Sequence, residues 1–471
     1  MAHILNQIVE HKKREVKRLY EQFNLDALRR TARPTEKNFY HILAETSAAG
    51  EPFFIAEFKR KSPSEGWIDR DAKVASRVID YARTGARAIS VLTDESFFGG
   101  SYIDLEQAAV ALRQIGPDAP LLLQKDFVID PVQIYLARLY GADIILLIAA
   151  ILPPGQLNVL KQTAESLGMG VLVEVHDQTE LDRIKHLDFP VLGINNRDLK
   201  TFRTALNRVN VLARQAGGRF VIAESGIHDY RDFRIVRQAD GFLIGTSLMR
   251  RAAKGNPSAN LFADLFQARS KGYLFKACGI RTPKLAGAEA ADFIGINFSP
   301  LSKRRIDPAL LCGMNLPSHA VAVFYQNPEA EIREILARFP FRIVQLYAGD
   351  VSPEFIRSLR QKVFLACRVQ EPADLDQLDA YAADVDLFIL DGAVPGSGQP
   401  IRTAVPADFP YPFLLAGGLN ISNLDTLLAY ENCIGADLAS GIETEGRVDA
   451  GKISAIAEGL GQMGRQVVSG S

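Results

Sequence analysis

The sequence predicts an α/β protein with two consecutive (β/α)8 barrels in one chain, preceded by an N-terminal helical extension. A chain of 471 residues is too long for a single hydrophobic core. Apolar runs of about five to seven residues recur with amphipathic helical stretches between them, which is the rhythm of a βα repeat. The runs are continuous rather than alternating, as expected of parallel strands that are buried on both faces.

The N-terminal extension covers the residues before the first predicted strand at 53–59. It has a helical pattern, which includes the segments VEHKKREVKRLYEQF and LDALRRTA. A bare barrel does not require these helices. We therefore expect them to cap or border the first active site.

Each half of the chain contains eight predicted strands, enough to close a barrel. The first set lies at 53–59, 88–93, 121–127, 143–149, 170–175, 191–195, 220–225 and 241–246. The second set lies at 275–279, 293–298, 320–325, 342–347, 363–369, 387–391, 412–418 and 436–440. The polar, Gly/Pro/Ser-punctuated start of 250–272 predicts a boundary near Gly255, which gives domains 1–254 and 255–471.

The composition is that of an ordinary globular protein. Lys+Arg (54) and Asp+Glu (55) nearly cancel, which indicates neither a nucleic-acid nor a membrane partner. We expect a cytoplasmic protein, because the N-terminus lacks a leader pattern and no run of about 18 apolar residues occurs. The four cysteines lack CxxC spacing, so neither a metal site nor a disulfide framework is predicted.

Polar residues at the strand ends of the first half are the candidates for catalysis, because barrel enzymes place their chemistry there. They are Glu57, Lys59, Ser62, Lys125, Glu174, Asn195, Arg197, Glu224 and Ser225. Any one of these charges could belong to a structural salt bridge. Three Glu and two Lys at one rim favour a proton-transfer site, since a buried unpaired charge costs several kcal/mol.

Two glycine-containing pairs predict a phosphate site in the last two loops of the first barrel. Ser225–Gly226 follows the seventh strand and Gly245–Thr246 follows the eighth. Loops at these positions commonly form a phosphate site with the N-terminus of a short helix. The alternative is that the glycines only supply turns.

Seven motifs of the first half resemble the indole-3-glycerol phosphate synthase family in order and spacing: AEFKRKSPSEG, LTDESFFGGS, LLQKDFVID, LVEVHD, GINNRDL, IAESGI and FLIGTSLM. The resemblance implies a lyase that closes the ring of a carboxyphenylamino-deoxyribulose phosphate with loss of CO2 and water, without metal or cofactor. It implies that Lys125 is the general acid at the ribulose carbonyl.

The resemblance also implies roles for the other strand-end residues. Glu174 and Lys59 would serve the later dehydration, and Glu57 would position groups and balance charge. Substrate hydroxyls would contact Asn195, Glu224 and Ser225, and the phosphate would contact Ser62, Gly226, Gly245 and Thr246. Arg197 and the aromatic Phe127, with Phe97 and Phe98, would complete the substrate site. A lysine that acts as an acid needs a pKa near neutrality. The neighbouring cations Lys59 and Lys61 could lower the pKa of Lys125 toward that range.

Motifs of the second half resemble the phosphoribosylanthranilate isomerase family over residues 271–460: KACGIRTP, FSPLSKRRID, LDGAVPGSG, LLAGGLN and ADLASGIETEG. The resemblance implies an Amadori rearrangement with Asp391 as general acid and Cys278 as general base. Because only the thiolate is a base, we expect a lowered pKa for Cys278. Residue type alone favours a small buried hydrophobe at Cys278, but its position in K-x-C-G at the end of a first strand favours the base.

The same resemblance implies that Arg304 anchors the anthranilate carboxylate. It implies a phosphate cradle formed by Gly396, Gly398, Gly417, Gly418, Ser440 and Gly441. The sequence departs from the family where Tyr347 replaces a histidine, where Gly392 follows Asp391 and where GSG replaces GGTG.

The function predicted is a bifunctional enzyme of tryptophan biosynthesis, in which the second barrel isomerises the substrate that the first barrel cyclises. One alternative is an active synthase with a non-catalytic C-terminal barrel. Another is a pair of phosphosugar enzymes from a different pathway, such as histidine biosynthesis, against which Lys59, Lys125 and Glu174 argue. We expect a monomer, because a fused pair needs no further partner for stability.

Overall fold

The computed structural model describes residues 3–198, 201–253, 272–281, 288–391 and 405–469, and its strands form two closed barrels of eight strands each. In both barrels every strand pairs in parallel with its neighbours along the chain. The predicted fold class, two (β/α)8 or TIM barrels, is confirmed. One compact unit comprises Met1–Thr204, Leu212–Asp229 and Gln238–Leu265, and the other comprises Ala205–Val211, Tyr230–Arg237 and Phe266–Ser471.

The first barrel closes between its first and last strands. Its strands are β1 Phe53–Phe58, β2 Ala88–Leu92, β3 Leu121–Lys125, β4 Ile144–Ile148, β5 Gly170–Val175, β6 Val191–Asn195, β7 Phe220–Glu224 and β8 Gly241–Ile244. All eight lie at the predicted places. Several end one or two residues earlier than predicted, because the chain leaves the ladder where its polar residues begin. The predicted boundary between 254 and 255 lies outside the described residues and stays a prediction.

The second barrel has the same topology. Its strands are β9 Leu274–Cys278, β10 Phe293–Asn297, β11 Ala320–Val323, β12 Ile343–Tyr347, β13 Lys362–Arg368, β14 Leu387–Asp391, β15 Phe413–Ala416 and β16 Cys433–Leu438. The predicted last strand began at 436, too late by three residues. Gly435 lies inside β16. Glycine is required there, because a β-carbon would clash with the Leu274 carbonyl of the neighbouring strand.

Twelve α-helices precede β9 in the part of the chain that the structure describes. They are α1 His3–Gln22, α2 Leu25–Thr31, α3 Phe39–Ala48, α4 Val74–Arg83, α5 Glu95–Phe98, α6 Tyr102–Arg113, α7 Pro131–Leu139, α8 Pro154–Ser166, α9 Gln178–Ile184, α10 Asn207–Ala213, α11 Tyr230–Ile235 and α12 Thr246–Ala253. A short hairpin pairs Lys61–Ser62 with Gly66–Trp67 after β1.

The second barrel has fewer α-helices among the described residues. They are α13 Glu329–Arg338, α14 Pro353–Ser358 and α15 Ala450–Ser469. Several connections are short 3₁₀ helices, at Ala288–Ala290, Pro308–Leu311, Pro372–Ala380, Ala382–Asp384, Leu424–Ala429 and Ser440–Ile442. Glu443–Thr444 and Arg447–Val448 form a small antiparallel pair. In the part of the chain that the structure describes, no helix is long and apolar enough to cross a membrane.

Two N-terminal helices contact opposite ends of the first barrel. Phe39 of α3 is buried and packs against Gly170 at the start of β5, so α3 closes the amino-terminal end. Ile4, Leu5 and Ile8 of α1 line the cavity at the carboxyl-terminal end. Helix α1 therefore borders the cavity in which the sequence predicts the first active site.

A buried lysine fastens α1 to this rim. The Lys12 ammonium lies 2.7 Å from Asp126 Oδ1 and 3.2 Å from Asp94 Oδ2, and its side chain is 0% exposed. Burial by itself lowers the pKa of Lys12, but Asp126, Asp94 and Glu15 outweigh it and raise the pKa. Asp94 follows β2 and Asp126 follows β3, so the Lys12 ammonium links α1 to the loops after both strands.

Lys12→Met is expected to free α1 from the barrel. The substitution leaves Asp94 and Asp126 buried without their cation, a change that typically costs about 3–5 kcal/mol. Hydrogen–deuterium exchange should show faster exchange of the α1 amides while the barrel strands keep their protection. Lys13→Met is the matched control, because Lys13 is 60% exposed. Unchanged protection of α1 in Lys12→Met would contradict the role of this charge.

Candidate active sites

One cavity at the carboxyl ends of the first barrel's strands is lined by the residues that the sequence predicted for that site, with the exception of Phe97. The residues are Glu57, Lys59, Ser62, Lys125, Phe127, Glu174, Asn195, Arg197, Glu224, Ser225, Gly226, Gly245 and Thr246. They come from strands β1, β3, β5, β6, β7 and β8 and the loops after them, which closure of the barrel brings to one rim.

Lys125 lies at the centre of the charged groups. Its Nζ donates to Glu174 Oε2 at 2.8 Å and to Glu224 Oε2 at 2.6 Å. Burial would lower the pKa of Lys125, but Glu174, Glu224 and Glu57 outweigh it and raise the pKa. The prediction that neighbouring lysines lower this pKa is wrong for the ligand-free site, because Lys59 pairs with Glu57 at 2.6 Å and two carboxylates reach Lys125 first.

The two carboxylates on Lys125 differ in protonation. Burial, together with the nearby Glu174 charge, raises the pKa of Glu224 to about 8 despite the bond to Lys125. Burial acts on Glu174 too, but Lys125 and His176 outweigh it and hold the pKa of Glu174 well below its usual range. The site therefore keeps one ionised and one largely protonated carboxyl around a single ammonium at neutral pH, an arrangement suited to acid–base chemistry.

Sequence reasoning missed His176. Its Nε2 lies 3.0 Å from Glu174 Oε1, an ion-pair distance without good hydrogen-bond alignment, and its Nδ1 lies 3.1 Å from Glu180 Oε2. Although burial opposes it, the two carboxylates raise the pKa of His176 to about 10. Residues two apart at a strand end share one face, so the spacing from Glu174 was an available signal.

The pair Glu57–Lys59 and the glycine loops form another part of the rim. A β-carbon at Gly245 would clash with the Glu57 carboxylate, so this glycine makes room for Glu57 beside the loop after β8. Ser225 (φ 67°) and Gly226 (φ 89°) both have left-handed backbone. Such a conformation at a serine costs of order 1 kcal/mol and is typical of functional loops. Helix α12 begins at Thr246, directly after Gly245.

An aromatic and aliphatic wall lies beside these polar groups. Phe98 and Phe127 line the cavity with ring centroids 6.0 Å apart, and Leu5 and Ile8 of α1 also line it. Phe97, predicted to pack near the substrate ring, instead meets His11 edge-on at 5.8 Å. The helical geometry of α5 separates the neighbours Phe97 and Phe98, which sequence alone did not distinguish.

A second cavity lies at the carboxyl ends of the second barrel's strands. Its lining includes six of the residues predicted for that site: Cys278, Arg304, Asp391, Gly417, Gly418 and Ser440. Gly441 is not among the described residues that line it. It packs closely against the Leu419 carbonyl, where a β-carbon would clash. Gly396 and Gly398 lie outside the described residues.

Cys278 is a buried thiol beside a buried ion pair. Burial raises its pKa, against the opposing effect of Lys276. The prediction of a lowered pKa is therefore wrong for the ligand-free site. Lys276 donates to the Asp437 carboxylate at 2.9 and 3.0 Å, which weakens its effect on the sulfur. Lys276 was not given a role from sequence, although a lysine within an apolar strand and two residues from Cys278 marks the same inward face.

Arg304 lines this cavity, and its guanidinium is paired with the carboxylate of Glu443. Its Nε and Nη2 donate to the two carboxylate oxygens of Glu443 at 2.6 and 2.8 Å. This hydrogen bonding raises the pKa of Arg304 and lowers that of Glu443. Glu443, which follows the last strand, was not predicted, because nothing in the sequence shows which loop residue reaches an arginine 139 positions away.

Tyr347, which departs from the family pattern, lines the same cavity within an aromatic group. Its ring centroid is 4.8 Å from that of Tyr325. Burial and the neighbouring acidic groups raise the pKa of Tyr347 well above its usual value, so it is a neutral phenol.

Comparison with known proteins agrees with this geometry. Residues 5–260 match the model of the indole-3-glycerol phosphate synthase family, and residues 276–459 match that of N-(5'-phosphoribosyl)anthranilate isomerase. The tryptophan biosynthesis protein TrpCF of Vibrio parahaemolyticus is 34% identical over 97% of this chain and 93% of its own length. TrpCF of Yersinia pestis is 34% identical, over 97% and 94%.

A single-function relative matches the first half alone. The indole-3-glycerol phosphate synthase of Rippkaea orientalis is 43% identical over 55% of this chain and 90% of its own length. The chain therefore belongs to the family of bifunctional tryptophan biosynthesis proteins that join an indole-3-glycerol phosphate synthase to a phosphoribosylanthranilate isomerase.

Proposed function

We propose that the Lys125 cluster and the Cys278–Asp391 cavity carry the two activities of this family, a lyase reaction and an isomerisation. The second barrel converts N-(5-phosphoribosyl)anthranilate to 1-(2-carboxyphenylamino)-1-deoxyribulose 5-phosphate. The first barrel closes that product to indole-3-glycerol phosphate. The observation that supports this proposal is that acid–base groups from separate strands line one cavity in each barrel.

In the first barrel, Lys125 protonates the ribulose carbonyl oxygen while the new carbon–carbon bond forms. Its raised pKa ensures that it holds this proton at neutral pH. Loss of CO2 restores the aromatic ring, and a hydroxyl then leaves as water. Glu174, ionised by its neighbours, takes a proton in this dehydration, and Lys59 supplies one to the leaving hydroxyl. Glu57 orients Lys59 through their ion pair.

The remaining residues of the first cavity bind the substrate. Ser62, Gly226, Gly245 and Thr246 hold the phosphate, with the N-terminus of α12 adding its dipole. Phe127 contacts the anthranilate ring, and Arg197 supplies a cation beside it. Hydroxyl groups of the substrate bind Asn195, Glu224 and Ser225. Asn195 also donates to Glu174 Oε1 at 3.2 Å, which keeps that carboxylate in place.

In the second barrel, Asp391 protonates the furanose oxygen and opens the ring, and Cys278 removes the C2 proton of the resulting imine. Lys276 stabilises the thiolate that this step requires. Arg304 anchors the anthranilate carboxylate, and Gly417, Gly418 and Ser440 hold the phosphate together with Gly396, Gly398 and Gly441. Because Cys278 and Asp391 line one cavity, no observation favours a non-catalytic C-terminal barrel.

We also propose the oligomeric state and the cellular location of the protein. It needs no cofactor, metal or nucleic acid, and each barrel carries the groups for its own reaction. A monomer in the cytoplasm is therefore the simplest working form.

Lys125→Ala is expected to abolish cyclisation and to leave isomerisation intact. Removal of a general acid costs about 10²–10⁴ in rate, and the isomerase groups belong to the other barrel. Both activities are measured on one preparation by indoleglycerol phosphate fluorescence and by turnover of phosphoribosylanthranilate. Lys185→Ala, which removes an exposed lysine, is the control. Loss of both activities in a folded Lys125→Ala protein would contradict separate sites.

The isomerase rate is expected to increase with pH. Because burial raises the pKa of Cys278, the thiolate is a small fraction at neutral pH and increases about tenfold per pH unit until the pKa is approached. The quantity to measure is kcat/KM for phosphoribosylanthranilate across neutral and mildly alkaline pH. Cys278→Ala should remove the activity, and Cys312→Ala, at an exposed cysteine, should not. A profile that falls over this range would argue against a thiolate base.

His176→Asn is expected to shift the synthase pH profile. His176 is protonated at neutral pH and lowers the pKa of Glu174, so its removal raises that pKa. If Glu174 is the base, the acidic limb of kcat/KM moves to higher pH by on the order of one unit. The control is His186→Asn, which is exposed. An unshifted limb would exclude His176 as a positioning residue for Glu174.

A further inference from the structure

Arg368 is the last residue of β13, and its side chain lines the second cavity. Its guanidinium carbon lies 3.9 Å from the ring centroid of Tyr325 and 5.8 Å from that of Tyr347. Stacking on an aromatic face holds a guanidinium in one plane and leaves its edges open to acceptors. The aromatic pair therefore restricts the positions that the N–H donors of Arg368 can take.

One edge of this guanidinium lacks an acceptor. Nε and Nη2 of Arg368 are buried, and neither has a hydrogen-bond partner among the residues that the structure describes. A buried donor without a partner typically costs about 1–3 kcal/mol, and more when it is charged. Burial also lowers the pKa of Arg368, against the opposing effect of Asp391. An oxygen atom of a bound molecule would satisfy this edge.

Arg368 lies beside the proposed general acid of the isomerase. Strands β13 and β14 pair in parallel, and Arg368 and Asp391 are opposite each other in the register. Because side chains alternate between the two faces of a strand, residues at opposite positions share one face, and both of these line the second cavity. The Nε–Nη2 edge is not bonded to Asp391, since neither nitrogen has a partner. A substrate atom that Asp391 can protonate therefore lies next to unused donors.

Ring opening of the isomerase substrate creates an oxygen that needs such donors. The bond between C1 and the furanose ring oxygen breaks, and its electron pair stays on the oxygen. The lone pair of the anthranilate nitrogen forms the C=N bond of the imine, so positive charge moves to the nitrogen. Asp391 transfers its proton to the ring oxygen and becomes a carboxylate. Donors that are already in place beside this oxygen stabilise the transition state more than the substrate.

We propose that the Nε–Nη2 edge of Arg368, held by the Tyr325 ring, donates hydrogen bonds to the furanose ring oxygen while Asp391 protonates it. Arg368 gives up no proton, and its charge stabilises the electron pair that moves to the oxygen. Arg368 is thus a catalytic residue of the ring opening, whereas Arg304 binds the ring carboxylate and Cys278 acts in the later proton removal. The inference rests on the proposed isomerase function and adds a residue to its first step.

The experiment measures which isomerase step depends on Arg368. Turnover of phosphoribosylanthranilate, and of the same substrate with deuterium at C2, is followed for wild type, Arg368→Met and Arg368→Lys. The ratio of the two kcat values is the isotope effect on removal of the C2 proton. Binding of the reduced product, in which the ribulose carbonyl is an alcohol, shows whether the site is intact. Arg305→Met is the matched control, because Arg305 is 48% exposed and its removal changes the charge equally.

Wild type should show an isotope effect well above one, because burial keeps Cys278 mostly a thiol and makes proton removal slow at neutral pH. Arg368→Met should lower kcat about tenfold or more, since loss of a donor to a developing oxyanion typically slows the affected step by about 10²–10³. Ring opening then limits the rate, and the isotope effect should fall to about one.

The other measurements separate this role from substrate binding. In Arg368→Met the inhibition constant of the reduced product should rise by less than about tenfold, the range for a single neutral hydrogen bond. Arg368→Lys, which keeps the charge without the fork, should recover part of kcat. Arg304→Gln, which removes the proposed carboxylate anchor, should instead weaken binding of the substrate and of the reduced product. Arg305→Met should behave as wild type.

A wild-type kcat in Arg368→Met would overturn the inference while the isomerase assignment stands. A lowered kcat with an undiminished isotope effect would also overturn it, and so would loss of reduced-product binding in both Arg368 variants, which indicates a structural role. A wild type without isomerase turnover would instead overturn the proposed function of the second barrel together with this inference.

Discussion

Closure of eight parallel strands is the constraint on which both sites depend. In a closed parallel barrel the carboxyl ends of all the strands meet at one rim, however far apart they are in the chain. Charges placed at those ends must pair with one another or with a ligand, since water reaches them poorly. The ion pairs at each rim are therefore a consequence of the fold, and their pattern determines which protons can move.

Cations and carboxylates pair differently at the two rims. In the first barrel, Lys125 shares two carboxyl groups, so one of them, Glu224, is easily protonated while Glu174 stays ionised. In the second barrel two cations each pair with one carboxylate, Lys276 with Asp437 and Arg304 with Glu443. Beside the first of these pairs lies Cys278, a buried thiol whose pKa is raised by burial.

A buried charge near the first rim also links the wall of the first cavity to the N-terminal helix α1. Lys12 joins α1 to loops that carry site residues, so the apolar wall of the first cavity depends on a buried ion pair.

The sequence by itself determined the fold class, the order of sixteen strands and the inward residues at their ends, because buried parallel strands have an apolar pattern that polar residues interrupt. The residues that it predicted for the first-barrel site, apart from Phe97, line one cavity. Only the tertiary structure decided which charges pair: that Glu174 and Glu224 share Lys125, that His176 lies behind Glu174, and that Glu443 occupies Arg304. The pKa directions of Lys125 and Cys278 were mispredicted for the same reason. Burial and charge pairing depend on distances of a few ångströms between residues far apart in the chain, and spacing along the sequence does not contain them.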